Sequence, residues 1–77
     1  MKPVDFAQSA RKHKVGRAHA RYVIEHNDPA RIPVEGRYDT LQWIGVDETG
    51  RELEIVAVDF PDAVKVIHVM PTMLRRL

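Results

Sequence analysis

The sequence predicts an α+β domain in which two N-terminal helices pack on a three- to four-stranded antiparallel sheet. Three observations lead there. The apolar residues follow a helical period up to about residue 30 and an alternating, β-branched pattern after residue 38. Asn27-Asp28-Pro29 separates the two regimes, since Asn tolerates a left-handed helix end and Pro cannot continue a helix. The loops between the later segments are too short for anything but antiparallel neighbours.

Taken in order, Val4, Ala7, Ala10 and Arg11 keep a 3.6-residue repeat with Phe6 beside them, which predicts a helix over about 4–14. Ala18, Tyr22, Val23 and His26 form a second stripe, a helix over about 17–27. The joint is ambiguous: either the first helix runs on to Gly16, or Lys14 takes a left-handed conformation costing about 1 kcal/mol. Strands are expected over about 40–46, 52–59 and 64–70. Asp47-Glu48-Thr49-Gly50 suits a hairpin on a type I turn with Gly50 left-handed, and Phe60-Pro61-Asp62-Ala63 suits a second turn. Arg31-Ile32-Pro33-Val34 reads as an irregular edge strand, because Pro33 has no N–H for a ladder. Leu53, Ile55 and Ala57 alternate with Glu52, Glu54, Val56 and Val58, so the helices cover one face. The other is too apolar for ordinary solvent surface, and Met73-Leu74, a partner chain or a second copy would finish it.

With 77 residues the chain makes a single domain over 1–77. A core this small rarely supplies more than roughly 3 to 5 kcal/mol, which favours a partner or self-association. The absence of cysteine removes disulfides and thiolate metal sites, and no stretch resembles a leader or a membrane span, so a cytoplasmic protein is expected. Charge is divided: residues 1–38 hold eight bases and four acids, residues 39–74 two bases and seven acids, and Arg75-Arg76 follow. That division suggests an anionic partner for one surface and a cationic one for the other.

Most chemistries are poorly served. His13, His19 and His26 are spaced six and seven apart, not the three or four that a shared metal on one helix needs, so no metal site is expected. The scattered glycines make no phosphate loop, and Ser9 has no strained elbow around it. RNA cleavage asks for less. A 2′-hydroxyl attacks its own neighbouring phosphate if the protein supplies a base, an acid and cations, with neither metal nor cofactor. Arg11-Lys12-His13-Lys14 is a cationic run, His68 lies on the last strand, Glu54 is a carboxylate in a central apolar strand, and Trp43, Tyr22 or Tyr38 offers a ring for base stacking. Plainer readings stand beside these: a solvated basic face, a core histidine, a core tryptophan and a structural ion pair at Glu54.

Ala10-Arg11-Lys12-His13, then Trp43-Ile44-Gly45-Val46-Asp47, Gly50-Arg51-Glu52-Leu53-Glu54-Ile55-Val56, and Val66-Ile67-His68-Val69-Met70-Pro71 before a basic tail, resemble small toxins of the BrnT kind. They resemble still more a related group of short toxin-like proteins encoded beside antitoxins. The likeness spans roughly residues 8–76. It implies a RelE-like fold and a ribonuclease held inactive by a DNA-binding antitoxin. Arg11-Lys12-His13 match the basic start of the pattern, Glu54 and His68 its strand positions, and Arg75 or Arg76 its terminal basic residues. The chain departs from it at Ser9, where His is expected, and at Lys14, where Gly is expected. The pattern's opening strand has no room here.

The resulting expectation is the toxin of a type II toxin–antitoxin pair, a metal-independent endoribonuclease that needs no cofactor. His68, Glu54 and His13 are its acid–base candidates, Arg11, Lys12, Arg75 and Arg76 its phosphate clamps, and Trp43 its stacking residue. Its partners are RNA and a cognate antitoxin, with no membrane, as a hetero-oligomer or a homodimer. A non-catalytic protein- or RNA-binding subunit and a structural homodimer are the alternatives.

Overall fold

The computed structural model describes residues 2–76, with side chains for residues 2–74. Strand β1 (Val4–Phe6) leads through a 3₁₀ helix (Gln8–Arg11) into helix α1 (Arg17–His26). Then come β2 (Ala30–Ile32), β3 (Thr40–Val46), β4 (Glu52–Asp59), β5 (Val64–Pro71) and a second 3₁₀ helix (Thr72–Arg76). The five strands form one sheet in the order β1-β5-β4-β3-β2. β1 runs parallel to β5 and every other pair is antiparallel. The architecture is therefore one helix on a five-stranded mixed sheet, and two expectations fail: two N-terminal helices, and a purely antiparallel sheet of three to four strands.

The failure lies in residues 4–14. Val4 and Phe6 sit two apart, as readily a strand face as a helix stripe, and such a short apolar run carries no period of its own. β5 has an edge to fill. Pairing of Val4, Asp5 and Phe6 with Val64, Lys65 and Val66 fills it, with Val64 N–H donating to Pro3 O and Ala7 N–H to Val66 O. The chain thus does contain a strand ahead of its helix. Ala10 then turns into the core from a single 3₁₀ turn, and Lys14 takes the left-handed conformation with φ 57°.

α1 covers one sheet face with Ala20 and Val23, which pack with Leu41, Trp43, Leu53, Ile55, Ala57, Val66 and Val69. Its end differs from the sequence reading. Asn27 is extended (φ −139°), and its side-chain Nδ2 donates to Val23 O at 2.8 Å. That side chain lies flat on Gly45, where a Cβ would stand 2.7 Å from Asn27 Cγ and 2.8 Å from Oδ1. Glycine in the middle of β3 is thus the condition for capping α1 against the sheet.

The hairpin between β3 and β4 is closed by Asp47, with Gly50 at φ 88°. Asp47 Oδ1 accepts from Thr49 N–H, Thr49 Oγ1 and Arg51 N–H, while Oδ2 accepts from Arg51 Nε. Burial alone would raise the pKa of this carboxyl. The hydrogen bonds from Thr49 and Arg51 and the guanidinium charge outweigh it and hold the group at about 2. Asp39 and Asp59 are likewise engaged internally, both by Arg31 and Asp59 also by Lys2. Part of the charge of the acidic half is therefore met within the chain, by Arg31 and Lys2 from the basic half and by Arg51.

The face away from α1 carries Gln42, Ile44, Val46, Glu54, Val56, Val58, His68 and Met70 by strand alternation. Of the large apolar side chains exposed among the described residues, Ile44, Val46 and Ile67 lie on this face, Ile32 in β2 and Val34 and Tyr38 after it continue it, and Met73 and Leu74 follow its last strand. Among the described residues no helix is long and apolar enough to cross a membrane.

Candidate active site

His13, Glu54 and His68 come together from three segments. His68 and Glu54 project from neighbouring strands onto the outer face, His68 opposite Val56 and Glu54 opposite Met70. His68 Nε2 lies 3.7 Å from Glu54 Oε2. The ring of His13 meets that of His68 edge-on, with centroids 6.0 Å apart. Glu54 is buried, at 5% exposure, and Gln42 Nε2 donates to its Oε1 at 3.0 Å. The His68 side chain remains 35% exposed. The arrangement is a buried carboxylate behind a histidine that opens to solvent, with a second histidine at its edge. These are the parts of a proton-transfer site.

Local structure explains the convergence. β5 carries a bulge: Val56 pairs with His68 and Ala57 with Val66, leaving Ile67 without a partner. A bulge re-aims the side chains beside it. Ser9 fastens the first 3₁₀ helix to this irregularity, its Oγ donating to Ile67 O at 2.9 Å. The left-handed Lys14 then turns the chain away just after His13. Ser9 and Lys14 thus both have structural roles. Ser9 anchors the turn that presents His13, and Lys14 adopts the conformation for which Gly is the usual choice.

Arg11 and Lys12 are exposed on the same short turn, next in sequence to His13. The side chains of Arg75 and Arg76 lie outside the described residues, so their expected role as clamps is not placed. Trp43 is a correction. It sits in the core at 4% exposure, packed under α1 on the face opposite Glu54 and His68, so no base can stack on it. Both alternating sets of β3 carry apolar residues, Leu41 in the set of Trp43 and Ile44 with Val46 in the other, so the sequence held no clear signal for which face Trp43 takes. Of the two other rings weighed, Tyr22 is half-buried and stacked on His26 with centroids 4.0 Å apart, and Tyr38 is exposed and packed edge-on against Phe60.

One constellation escaped the sequence reading. The ligand-type atoms of His19, Asp47 and Glu48 lie within 4.8 Å of one another. His19 Nδ1 bonds to Glu48 Oε1 and lies 3.8 Å from Asp47 Oδ2. Histidine spacing along one helix could not reveal a group that joins a helix to a hairpin. Because Asp47 already accepts from Thr49 and Arg51, the group acts here as a clasp between α1 and the β3–β4 hairpin.

Comparison with protein-family models, with curated proteins and with solved structures finds no match for this chain.

Proposed function

We propose that the protein is a metal-independent endoribonuclease and, on the resemblance of its motifs to BrnT-type toxins, the toxin of a type II toxin–antitoxin pair. The observation that carries the reading is the meeting of His13, His68 and Glu54, with the exposed bases Arg11 and Lys12 next in sequence to His13. In this mechanism His68, backed by Glu54, takes the proton from an RNA 2′-hydroxyl. The 2′-oxygen then bonds to the adjacent phosphorus, and the bond to the 5′-oxygen breaks. His13 delivers a proton to that leaving oxygen. The products are a 2′,3′-cyclic phosphate and a 5′-hydroxyl, and the charge that builds on the phosphate is met by Arg11 and Lys12.

A second reading draws support from the outer sheet face, where Ile44 and Val46 are each about half exposed (50% and 49%). An apolar surface of this kind suits a protein partner, whether the antitoxin or a second copy. Induction of the gene alone separates the two readings. Growth arrest with degraded RNA, relieved by a co-expressed neighbouring gene, supports the toxin. Normal growth with intact RNA and a co-purifying protein supports a binding subunit.

A further inference from the structure

The outer sheet face holds a groove of about 440 Å³ at the end away from the second 3₁₀ helix. Val34, Arg37, Tyr38, Val58, Phe60 and Ile67 line it. Its outer wall is the turn after β2, in which Arg37 N–H donates to Val34 O at 3.0 Å and Gly36 takes φ 72°, a conformation that only glycine reaches without strain. Inside the groove Tyr38 and Phe60 pack edge to face, with centroids 5.2 Å apart and planes at 63°. Tyr38 nevertheless stays 52% exposed, so one aromatic ring is braced by another and still offers surface to a ligand.

The groove adjoins the histidine site. Ile67 is the bulged residue immediately before His68, and Val58 lies two residues along β4 from Val56, the partner of His68. At about 3.4 Å per residue, that separation is roughly 7 Å, the span of one nucleotide step. A braced, exposed aromatic ring, an arginine at the rim and apolar walls beside a phosphate-cleaving cluster match the parts of a nucleotide. We infer that this groove is a base-binding subsite: a base of single-stranded RNA stacks on Tyr38, with Arg37 against a phosphate of that nucleotide. The inference rests on the ribonuclease reading and replaces Trp43 as the stacking residue.

The test is binding of a fluorescent single-stranded 2′-O-methyl oligoribonucleotide, which lacks the attacking hydroxyl and so reports binding without cleavage. The parent, Tyr38→Ala, Tyr38→Phe and Arg37→Ala proteins are compared, with cleavage of ordinary RNA by the parent measured in parallel. Stacking one base on an aromatic ring is worth about 1 to 3 kcal/mol, so Tyr38→Ala should weaken binding about 5- to 150-fold. Tyr38→Phe keeps the ring and should stay within about twofold of the parent. Arg37→Ala should bind more weakly than the parent and lose part of the salt dependence. If the parent cleaves RNA and Tyr38→Ala binds the oligonucleotide as tightly as the parent does, the subsite is wrong and the ribonuclease stands. If the parent neither binds the oligonucleotide nor cleaves RNA, both fall. If Tyr38→Ala leaves RNA binding unchanged but converts a sedimenting dimer to a monomer, the groove belongs to a second copy and the inference is overturned.

Discussion

Replacing His68 by glutamine separates chemistry from stability, because its proposed part in proton transfer and its packing predict effects of very different sizes. The side chain is 35% exposed, and it faces Glu54 at 3.7 Å, longer than a hydrogen bond. Glutamine keeps much of the volume and can donate an amide hydrogen toward the same carboxylate. The pair joins a partly exposed ring to a buried carboxylate that keeps its bond from Gln42, so the change in folding free energy should match that of one hydrogen bond, about 1 kcal/mol. For a domain of this size that is a melting shift of no more than about 4 to 8 °C. Loss of a general acid or base, by contrast, typically slows a reaction about 10²- to 10⁴-fold. Thermal melting and single-turnover RNA cleavage on one preparation measure both. A His68→Gln protein that still cleaves at the parent's rate removes His68 from the mechanism. One whose activity falls only in step with its folded fraction makes His68 a structural residue.

Other consequences follow from the packing and charges. Gly45→Ala must displace the Asn27 side chain and should destabilise by about 1 to 3 kcal/mol. Melting of Gly45→Ala beside Gly45→Ala/Asn27→Ala checks this, since the double variant should recover part of the loss, and an unchanged melting temperature in the single variant would refute the contact. Asp47 has its pKa lowered from 3.8 to about 2 in the folded protein, so its stabilising contribution is present above pH 4 and is lost as the pH falls toward 2. That contribution is roughly 2 kcal/mol at most, and denaturant melts of Asp47→Asn should lack this part of the acid loss. RNA affinity should fall with salt, and Arg11→Ala/Lys12→Ala should flatten a plot of log affinity against log salt by about 0.7 per lost phosphate contact. An unaltered slope would mean that the two side chains are simply solvated.

The meander was legible because β3, β4 and β5 are long, β-branched and separated by turns with their own chemistry. Asp47 and Gly50 mark one turn, and Pro61 and Asp62 the other. Residues 4–14 were not legible. Three residues of strand hold no period, and what decides for a strand is the open edge of β5, some 60 residues further along the chain. Purely local reasoning reads Val4, Ala7 and Ala10 as a helix because nothing local opposes it. At the site, Glu54 drew attention as a carboxylate in an apolar strand and His68 as a histidine on its neighbour. Their pairing with His13, however, depends on the bulge at Ile67 and the bond from Ser9, neither of which has a signature in the sequence. Trp43 failed for the opposite reason. Its ring suited a base, but its place in the strand turns it toward α1.

The most direct test of the account compares cleavage of a single-stranded RNA with that of its 2′-deoxy counterpart, both with a chelator present. The account predicts that the RNA is cut, that the new ends carry 2′,3′-cyclic phosphate and 5′-hydroxyl groups, and that the deoxy strand survives intact. Cutting of the deoxy strand, or cutting of RNA only after a divalent metal is restored, would contradict it.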